Sequence, residues 1–309
     1  MIDLIIPFYN NGPNLIKTLD SVNTDVFRIT VVDDGSDYYL PPNIGAAQVF
    51  RYSFNKGPGY ARQFGLDRTS EPYVMFIDTG DIFISKHIQL RIESEVRNTG
   101  ANRITFQYYH YDDLSKTGDN RLHGKIYKRD FLEKYGITFP LESSYLNEDI
   151  GFNRACNLII EDKKLLQTRV EIPVIQQLRD ENSLTQKNNK ESLYRDQTKA
   201  LSLISIHTVD ICRKNGVDSA TEINQIAISL YYWFLRTAAE RPEFMKDAWA
   251  GAHIFFKQFE KEINPNNLML GNTKVKQCLA FRDKLNFPIN VLRFAYDITH
   301  YENLPSNYK

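Results

Sequence analysis

The sequence predicts an α/β fold over residues 1–185, followed by a helical region over residues 186–309. Two observations support this. In the first part, short runs rich in β-branched residues alternate with segments of helical periodicity, which is typical of a parallel sheet flanked by helices. After about Asn188 the strand-like runs stop and only helical periodicity remains. A length of 309 residues is also suited to two moderate domains.

Four strands and three helices are predicted before residue 100. The strand-like runs are "MIDLIIPFYN", "FRITVVDDGS", "AAQVFRYSFN" and "PYVMFIDTGD", and each ends in polar residues. Helices are predicted from Asn14 to Val22, within "PGYARQFGLDRTS", and from Lys86 to Asn98. Because parallel sheets bind ligands at the carboxyl ends of their strands, the polar clusters there are candidate ligand contacts.

From Asn102 onward the pattern changes. "RITFQYYHYDD", "HGKIYKRDFLEKYGITFP" and "TRVEIPVIQQL" mix strands with one short helix, which predicts an antiparallel or mixed extension of the sheet. In the C-terminal region, helices are predicted over 191–215, 219–239, 242–263 and 273–297.

The composition excludes several classes of protein. With 38 basic and 38 acidic residues, the chain has no global field that would draw it to nucleic acid or anionic membranes. Cys156, Cys212 and Cys278 are too widely spaced for a zinc cluster or a disulfide framework, and predict reduced, mostly buried thiols in a cytoplasmic protein. No basic leader or long apolar run is present, so secretion and membrane insertion are disfavoured.

Two polar clusters follow early strands. Carboxylates in Asp33-Asp34-Gly35-Ser36 can accept hydrogen bonds from a uracil ring or from ribose hydroxyls, although the same residues also favour a simple turn and helix cap. "NKGPGYAR", residues 55–62, places two cations at a helix start, where backbone N–H groups favour a diphosphate. An ordinary glycine-rich loop is the alternative there.

A third cluster, "FIDTGD", follows the fourth strand. Asp78 and Asp81 can bind a divalent ion chelated by a nucleotide diphosphate, since hard cations prefer oxygen ligands. Gly80 weakens that interpretation, because no carboxylate stands between the two acids. The alternatives are that Asp81 caps the helix beginning near Ser85, or that the segment is a polar turn.

A fourth cluster, Glu148-Asp149, precedes another segment of helical periodicity. A carboxylate there can act as a general base towards an acceptor hydroxyl. Acids in a first turn also stabilise helices without any catalytic role. The six histidines form no metal-binding pattern, although His123 stands beside Gly124-Lys125.

In order and spacing, these motifs resemble those of the family 2 glycosyltransferases with the GT-A fold. The matching segments are "IIPFYN", "VVDDGS", "NKGPGYARQFGLDRTSEPYVMFIDTGD", "GKIYKRDFLEKYGITFP" and "NEDIGFN", within about the first 185 residues. The resemblance implies a GT-A-type, Rossmann-like mixed sheet flanked by helices, in a domain over residues 1–185. Residues 186–309 are then a helical appendage for acceptor binding or oligomerisation.

The resemblance also implies a nucleotide-diphospho-sugar donor, a divalent metal (Mn²⁺ or Mg²⁺) and inverting transfer by one in-line displacement. The nucleotide-sugar contacts it assigns are Pro7, Tyr9, Asp34, Lys56, Arg62, Asp78, Lys125 and Arg179. Of these, Pro7, Tyr9 and Asp34 match the positions that hold uracil and ribose, and Arg62 matches a position near the diphosphate. Asp149 matches the catalytic base.

The metal site departs from the family pattern. Asp78 matches the first acid of the family's Asp-x-Asp motif, but the position of its metal-binding second acid is Gly80 here. Asp81, and Asp180 within "LRDENSLT", are the expected substitute ligands. The alternative is weaker metal dependence, with the basic residues of the donor site neutralising the leaving diphosphate.

The acceptor is left open by these motifs. A polysaccharide or glycoconjugate is expected, and a modified DNA base is the alternative. The only support for DNA is a set of basic residues in the C-terminal region: Lys274, Lys276, Arg282, Lys284 and Arg293. An inactive protein that only binds a nucleotide sugar is a further alternative, which Gly80 favours and Asp149 disfavours.

Overall fold

The computed structural model of the chain describes residues 1–38, 40–110, 121–143, 146–178, 190–264, 278 and 291–308. It divides into two compact units, Met1–Asp180 and Glu181–Lys309. The first unit contains the sheet, and the second consists of helices in its described part.

Eight strands of the first unit form one mixed sheet within the described residues. They are β1 (Ile2–Phe8), β2 (Phe27–Asp33), β3 (Gln48–Arg51), β4 (Tyr73–Phe76), β5 (Ile82–Phe83), β6 (Arg103–Tyr109), β7 (Lys125–Lys128) and β8 (Gln167–Gln176). Their order is β3-β2-β1-β4-β7-β6-β8-β5. β1 to β4 are parallel, whereas β7 runs antiparallel between β4 and β6. The predicted mixed sheet is therefore confirmed.

Five α-helices flank this sheet among the described residues: α1 (Gly12–Ser21), α2 (Pro58–Leu66), α3 (Lys86–Thr99), α4 (Arg129–Lys134) and α5 (Glu148–Asp162). The hydroxyl of Ser85 caps α3 by accepting a hydrogen bond from the N–H of Ile88 at 3.2 Å. The helix cap considered for Asp81 is therefore supplied by Ser85. α3 ends at Gly100, whose φ of +58° suits glycine.

The strand pattern follows burial. All seven residues of β1 are buried because the strand lies between β2 and β4. The one charged residue among them, Asp3, pairs with Arg129 at 2.9 Å. Aromatic side chains hold α5 against the sheet. Phe152 of α5 stacks on Phe139 with ring centroids 4.2 Å apart, and Phe76 of β4 meets Phe139 edge to face at 5.2 Å. Burial of each such ring contributes about 1.5–3 kcal/mol, so the start of α5 has a fixed position near the sheet.

The second unit contains α6 (Lys190–Lys214), α7 (Ala220–Glu240), α8 (Met245–Gln258) and α9 (Val291–His300). Phe234, Trp249, Phe294 and Tyr308 form the centre of its core. The predicted helical region is confirmed in this part, while most of the helix predicted over 273–297 lies outside the described residues. No helix in the described ranges is both long and apolar enough to cross a bilayer.

All three cysteines are buried, and none of them forms a disulfide. The prediction of buried thiols is therefore confirmed.

Candidate active site

The candidate site lies at one edge of the sheet in the first unit. Because β1, β2 and β4 are parallel, their carboxyl ends lie at this edge. β7 is antiparallel to both β4 and β6, so its amino end and the carboxyl end of β6 lie there too. β8 is parallel to β6 and brings Gln177 to the same edge. The ends of these six strands therefore lie at one edge of the sheet, where parallel sheets bind ligands.

Asp34 anchors the loop that precedes α2. Its carboxylate accepts hydrogen bonds from the backbone N–H groups of Lys56 at 2.7 Å and Gly57 at 2.8 Å, and from the hydroxyl of Tyr52 at 2.7 Å. Asp34 is only 3% exposed, and this burial raises its pKa, although the three donors oppose the rise. The carboxylate thus fixes the "NKGPG" loop through backbone contacts.

The other residues predicted to hold uracil and ribose lie at the end of β1. The ring of Tyr9 is 42% exposed, so it presents a free aromatic surface to solvent. The carbonyl of Pro7 accepts a hydrogen bond from the hydroxyl of Thr79 at 2.7 Å, which ties β1 to the "FIDTGD" turn. The ammonium of Lys56 lies 4.1 Å from the centroid of the Tyr60 ring.

Arg62 connects α2 to both α5 and the turn after β4. One guanidinium nitrogen, Nη1, donates to Glu148 Oε1 at 2.5 Å, and Nη2 donates to Asp78 Oδ1 at 2.5 Å. Although burial opposes the charge, the two carboxylates raise the pKa of Arg62. Gly59 lies one turn earlier in α2, and a Cβ there would be 2.5 Å from Cγ of Glu148. The two helices can therefore approach closely only because residue 59 is glycine.

Asp78, Asp81 and His123 form a cluster that can hold a metal ion, since one ligand atom from each lies within 4.8 Å of the others. His123 Nε2 is 3.1 Å from Asp81 Oδ2 and 3.8 Å from Asp78 Oδ2. Gln177 Nε2 lies 2.7 Å from the same ring nitrogen. The ring of Tyr108 packs on the histidine, with centroids 5.0 Å apart.

The charges of this cluster are coupled. Burial raises the pKa of Asp81, and the nearby charge of Asp78 adds to the rise although His123 opposes it. Burial would also raise the pKa of Asp78, but Arg62 and His123 lower it overall. The two carboxylates in turn raise the pKa of His123 against the effect of its own burial. Asp81 and His123 are thus buried together, while the nearby Asp78 is partly open to solvent.

Gly80 has a backbone conformation that explains why no acid occupies this position. Its φ is +105°, which L side chains rarely adopt, and its N–H donates to the hydroxyl of Thr18 at 2.9 Å. A carboxylate-bearing residue would be strained there. The turn instead brings Asp81 next to Asp78, and the buried Asp81 Oδ2 faces Nε2 of His123 at 3.1 Å.

Asp149 lies in the first turn of α5 and is 8% exposed. Its neighbour Glu148 is the residue bound by Arg62, so the same contact places Asp149 near the Asp78 end of the site. Arg121 Nη1 lies 3.8 Å from Asp149 Oδ2. Sequence reasoning missed Arg121, because nothing in "NRLHG" distinguishes this arginine from a surface residue.

Three predicted site residues are placed differently or not described. Lys125 is buried, and its ammonium donates to the backbone carbonyl of Arg121 at 2.5 Å. It also lines a separate cavity that contains Arg103. Arg179 and Asp180 lie outside the described residues.

Solved structures with this architecture are GT-A glycosyltransferases. Residues 1–349 of S. aureus TarS, solved with UDP-GlcNAc, superpose with a TM-score of 0.64 at 14% identity, covering 97% of this chain and 90% of that chain. The complex of the same TarS fragment with UDP gives a TM-score of 0.61, also at 14% identity and with the same coverage. Such low identity shows the fold, which is the GT-A fold that the sequence predicts.

The family follows from the sequence itself. The model of the family "Glycosyl transferase family 2" matches residues 3–163, more than half of the chain, and the chain belongs to this family.

Two curated relatives are uncharacterized glycosyltransferases of Rickettsia bellii and Rickettsia felis, each 25% identical over 125 residues. These matches cover 38% of this chain and 18% and 20% of the relatives, so the chain spans about a fifth of their length.

Proposed function

We propose that the protein is an inverting glycosyltransferase that moves a sugar from a UDP-sugar to a hydroxyl of a glycan or glycoconjugate. The observation that carries this proposal is the double contact of Arg62. It joins the acid after β4 to the first turn of α5, and so brings a donor-side carboxylate and the predicted base Asp149 into one site. The UDP and UDP-GlcNAc complexes of TarS support UDP as the nucleotide.

In this proposal, the donor nucleotide lies across the ends of β1 and β2. Tyr9 and Pro7 contact the uracil and ribose, and Asp34 positions the loop that carries Lys56. Lys56 and Arg62 offset the negative charge of the diphosphate. Lys125 acts as a positioning residue, because its ammonium binds the backbone of Arg121, which lies beside Asp149.

The chemistry is a single displacement. Asp149 accepts the proton of the acceptor hydroxyl, and the oxygen forms a bond to the anomeric carbon while the bond from that carbon to the diphosphate oxygen breaks. The electron pair of the broken bond leaves with UDP. Because attack and departure occur on opposite faces of the sugar, the product has the inverted configuration.

A divalent cation suits the cluster after β4. Asp78 and Asp81 offer hard oxygen ligands and His123 offers a nitrogen ligand, with one such atom of each within 4.8 Å of the others. When bound there, Mn²⁺ or Mg²⁺ would neutralise charge on the diphosphate. His123 thus joins Asp81 as a proposed ligand, and Asp180 stays a sequence prediction.

A glycan or glycoconjugate stays the proposed acceptor. Of the basic residues that suggested DNA, only Arg293 is described, and it pairs with Asp297 on its own helix at 2.8 Å. An exposed, internally paired arginine gives no support to a DNA surface. A cytoplasmic location also stays a proposal.

The test is incubation of the purified protein with UDP-GlcNAc, UDP-glucose, UDP-galactose, GDP-mannose and TDP-glucose, with and without Mn²⁺. We expect slow hydrolysis of one UDP-sugar, release of UDP, and an inverted anomeric configuration of the released sugar by NMR at early times. Binding of a UDP-sugar without turnover, with glycan acceptors present, would favour the inactive binding protein. If no nucleotide sugar binds at all, the proposed function is wrong.

A further inference from the structure

A second cavity of about 470 Å³ lies in the first unit, between the C-terminal half of α5 and the strands β6, β7 and β8. Its lining is rich in charged and amide side chains: Arg103, Lys125, Asn157, Glu161, Gln167 and Arg169. Its volume lies within the range of about 300–1,000 Å³ that is common for small-molecule sites. Of its lining residues, only Lys125 also has a role in the function proposed above.

The register of the strands explains why these side chains meet. Thr105 of β6 pairs with Lys125 on one side and with Arg169 on the other, and Arg103 pairs with Gln167 in the row below. Directly paired residues lie on the same face of a sheet. The first row therefore places polar side chains on three adjacent strands, and the second adds Arg103 and Gln167 on β6 and β8.

This face carries an excess of positive charge. Arg103, Lys125 and Arg169 line the cavity, whereas Glu161 is its one acidic residue among those described. Arg103 is 7% exposed and donates to the amide oxygens of Asn157 and Gln167. Among the described residues no carboxylate pairs with it, and its buried Nε has no hydrogen-bond partner. Burial of a guanidinium whose hydrogen-bond partners are all neutral costs free energy, unless an anion also binds to it.

The cavity is separate from the proposed catalytic base. Asn157 and Glu161 lie eight and twelve residues after Asp149 on α5. At 1.5 Å per residue these positions are about 12 Å and 18 Å along the helix axis. A ligand in the cavity would therefore contact the opposite end of α5 from the acceptor-activating group.

We propose that this cavity is a second ligand site, which takes a phosphate monoester of a small polyhydroxy molecule such as a sugar phosphate. The guanidinium of Arg103, with Lys125 and Arg169, binds the phosphate oxygens, for which a planar pair of N–H donors is well suited. The amides of Asn157 and Gln167 and the carboxylate of Glu161 bind the hydroxyls. The site is distinct from the donor site and does not depend on the proposed transfer activity.

The experiment titrates the full chain with inorganic phosphate and with glucose 6-phosphate by calorimetry, in the presence of saturating UDP. We expect both ligands to bind, and the sugar phosphate to bind more tightly because the cavity is larger than a lone phosphate.

Arg169→Gln changes an exposed residue and should weaken binding about threefold. Arg103→Gln should weaken it about tenfold or more, because a charged hydrogen-bond donor is lost. Arg91→Gln, on the exposed face of α3, is the matched control and should bind like the wild type.

Three outcomes would overturn the proposal: no binding of either ligand in saturating UDP, equal affinity of the two ligands, or unchanged affinity in Arg169→Gln. If Arg103→Gln does not fold, the comparison of ligand affinity between Arg169→Gln and Arg91→Gln is sufficient to test the proposal. The UDP-induced rise in melting temperature is measured in the same samples. If neither phosphate ligand binds but UDP still raises the melting temperature, the phosphate site is wrong and the donor site is not affected. The two proposals can therefore be distinguished.

Discussion

At the scale of single residues, Arg62 connects two separate elements of the site. It is 4% exposed and joins carboxylates from two different elements, Asp78 after β4 and Glu148 at the start of α5. Removal of one member of a buried ion pair is costly mainly because the other member stays buried without compensation. Asp78 is 43% exposed and can be hydrated, whereas Glu148 is 7% exposed and cannot.

We therefore expect Arg62→Met to lower the free energy of unfolding by about 3–5 kcal/mol, measured by urea denaturation. The double variant Arg62→Met/Glu148→Gln should recover part of this loss, since the uncompensated charge is gone. Arg91→Gln, an exposed arginine of α3, should change stability by less than about 0.5 kcal/mol. A loss below about 1 kcal/mol in Arg62→Met would show that the two ion pairs of Arg62 contribute little to stability.

Asp149→Asn tests the proposed base. It keeps the size of the side chain while removing its proton affinity, so transfer should fall about a hundredfold to ten-thousandfold. UDP binding should persist, because other strand ends hold the nucleotide. Asp162→Asn, at the far end of the same helix, is the matched control and should transfer at the wild-type rate. Near wild-type transfer by Asp149→Asn would remove Asp149, and the single displacement built on it, from the mechanism.

The proposed cation ligands are tested by direct binding of Mn²⁺, followed by electron paramagnetic resonance. Asp81→Asn and His123→Gln should each weaken Mn²⁺ binding at least about tenfold, since even outer-shell substitutions often cost that much. Asp67→Asn, on a surface away from the cluster, should bind Mn²⁺ like the wild type. Equal Mn²⁺ affinity in all four proteins would exclude Asp81 and His123 as ligands.

At the scale of elements, the close approach of α2 and α5 holds the first turn of α5 in place. In Gly59→Ala the new Cβ would lie 2.5 Å from Cγ of Glu148. Helix separation or movement of Glu148 should then cost about 1–3 kcal/mol in urea denaturation. In Gly59→Ala/Glu148→Ala the nearest obstructing atom, Cγ, is absent and only Cβ of residue 148 remains, at 3.0 Å, so the combined loss should be smaller than the sum of the two single losses. Additive losses would show that the contact is not the cause.

The elements differ in how well they could be predicted from sequence. β1, β2 and β4 are mainly apolar, because buried parallel strands require this, and their polar ends indicated the site. The two-residue β5 has no such signal. The antiparallel insertion of β7 between β4 and β6 depends on long-range pairing, which local periodicity does not encode. For that reason the sequence did not predict which residues His123 would contact, and Arg121 was not identified as a site residue.

At the scale of the whole molecule, the family match covers residues 3–163 only, whereas the likeness to TarS residues 1–349 extends over 97% of the chain. The helices after residue 190 thus belong to an architecture that a solved glycosyltransferase shares, although the sequence signal of the family ends before them. We propose that this region serves acceptor binding or oligomerisation. Donor binding, in contrast, should be a property of the first unit.

Calorimetry of the full chain with UDP tests that division. At a hundredfold excess over its dissociation constant, UDP should stabilise the unit that binds it by about 2.7 kcal/mol. For a domain of this size that corresponds to a rise of about 5–10 °C in its melting temperature. If the two units melt separately, only one transition should move.

Asp34→Ala should lose most of the rise, because the loop at Lys56 and Gly57 loses its anchor. Asp25→Ala, on the exposed turn before β2, is the control and should keep the full rise. A full rise in Asp34→Ala would place the nucleotide elsewhere, and the donor site at the ends of β1 and β2 would be wrong.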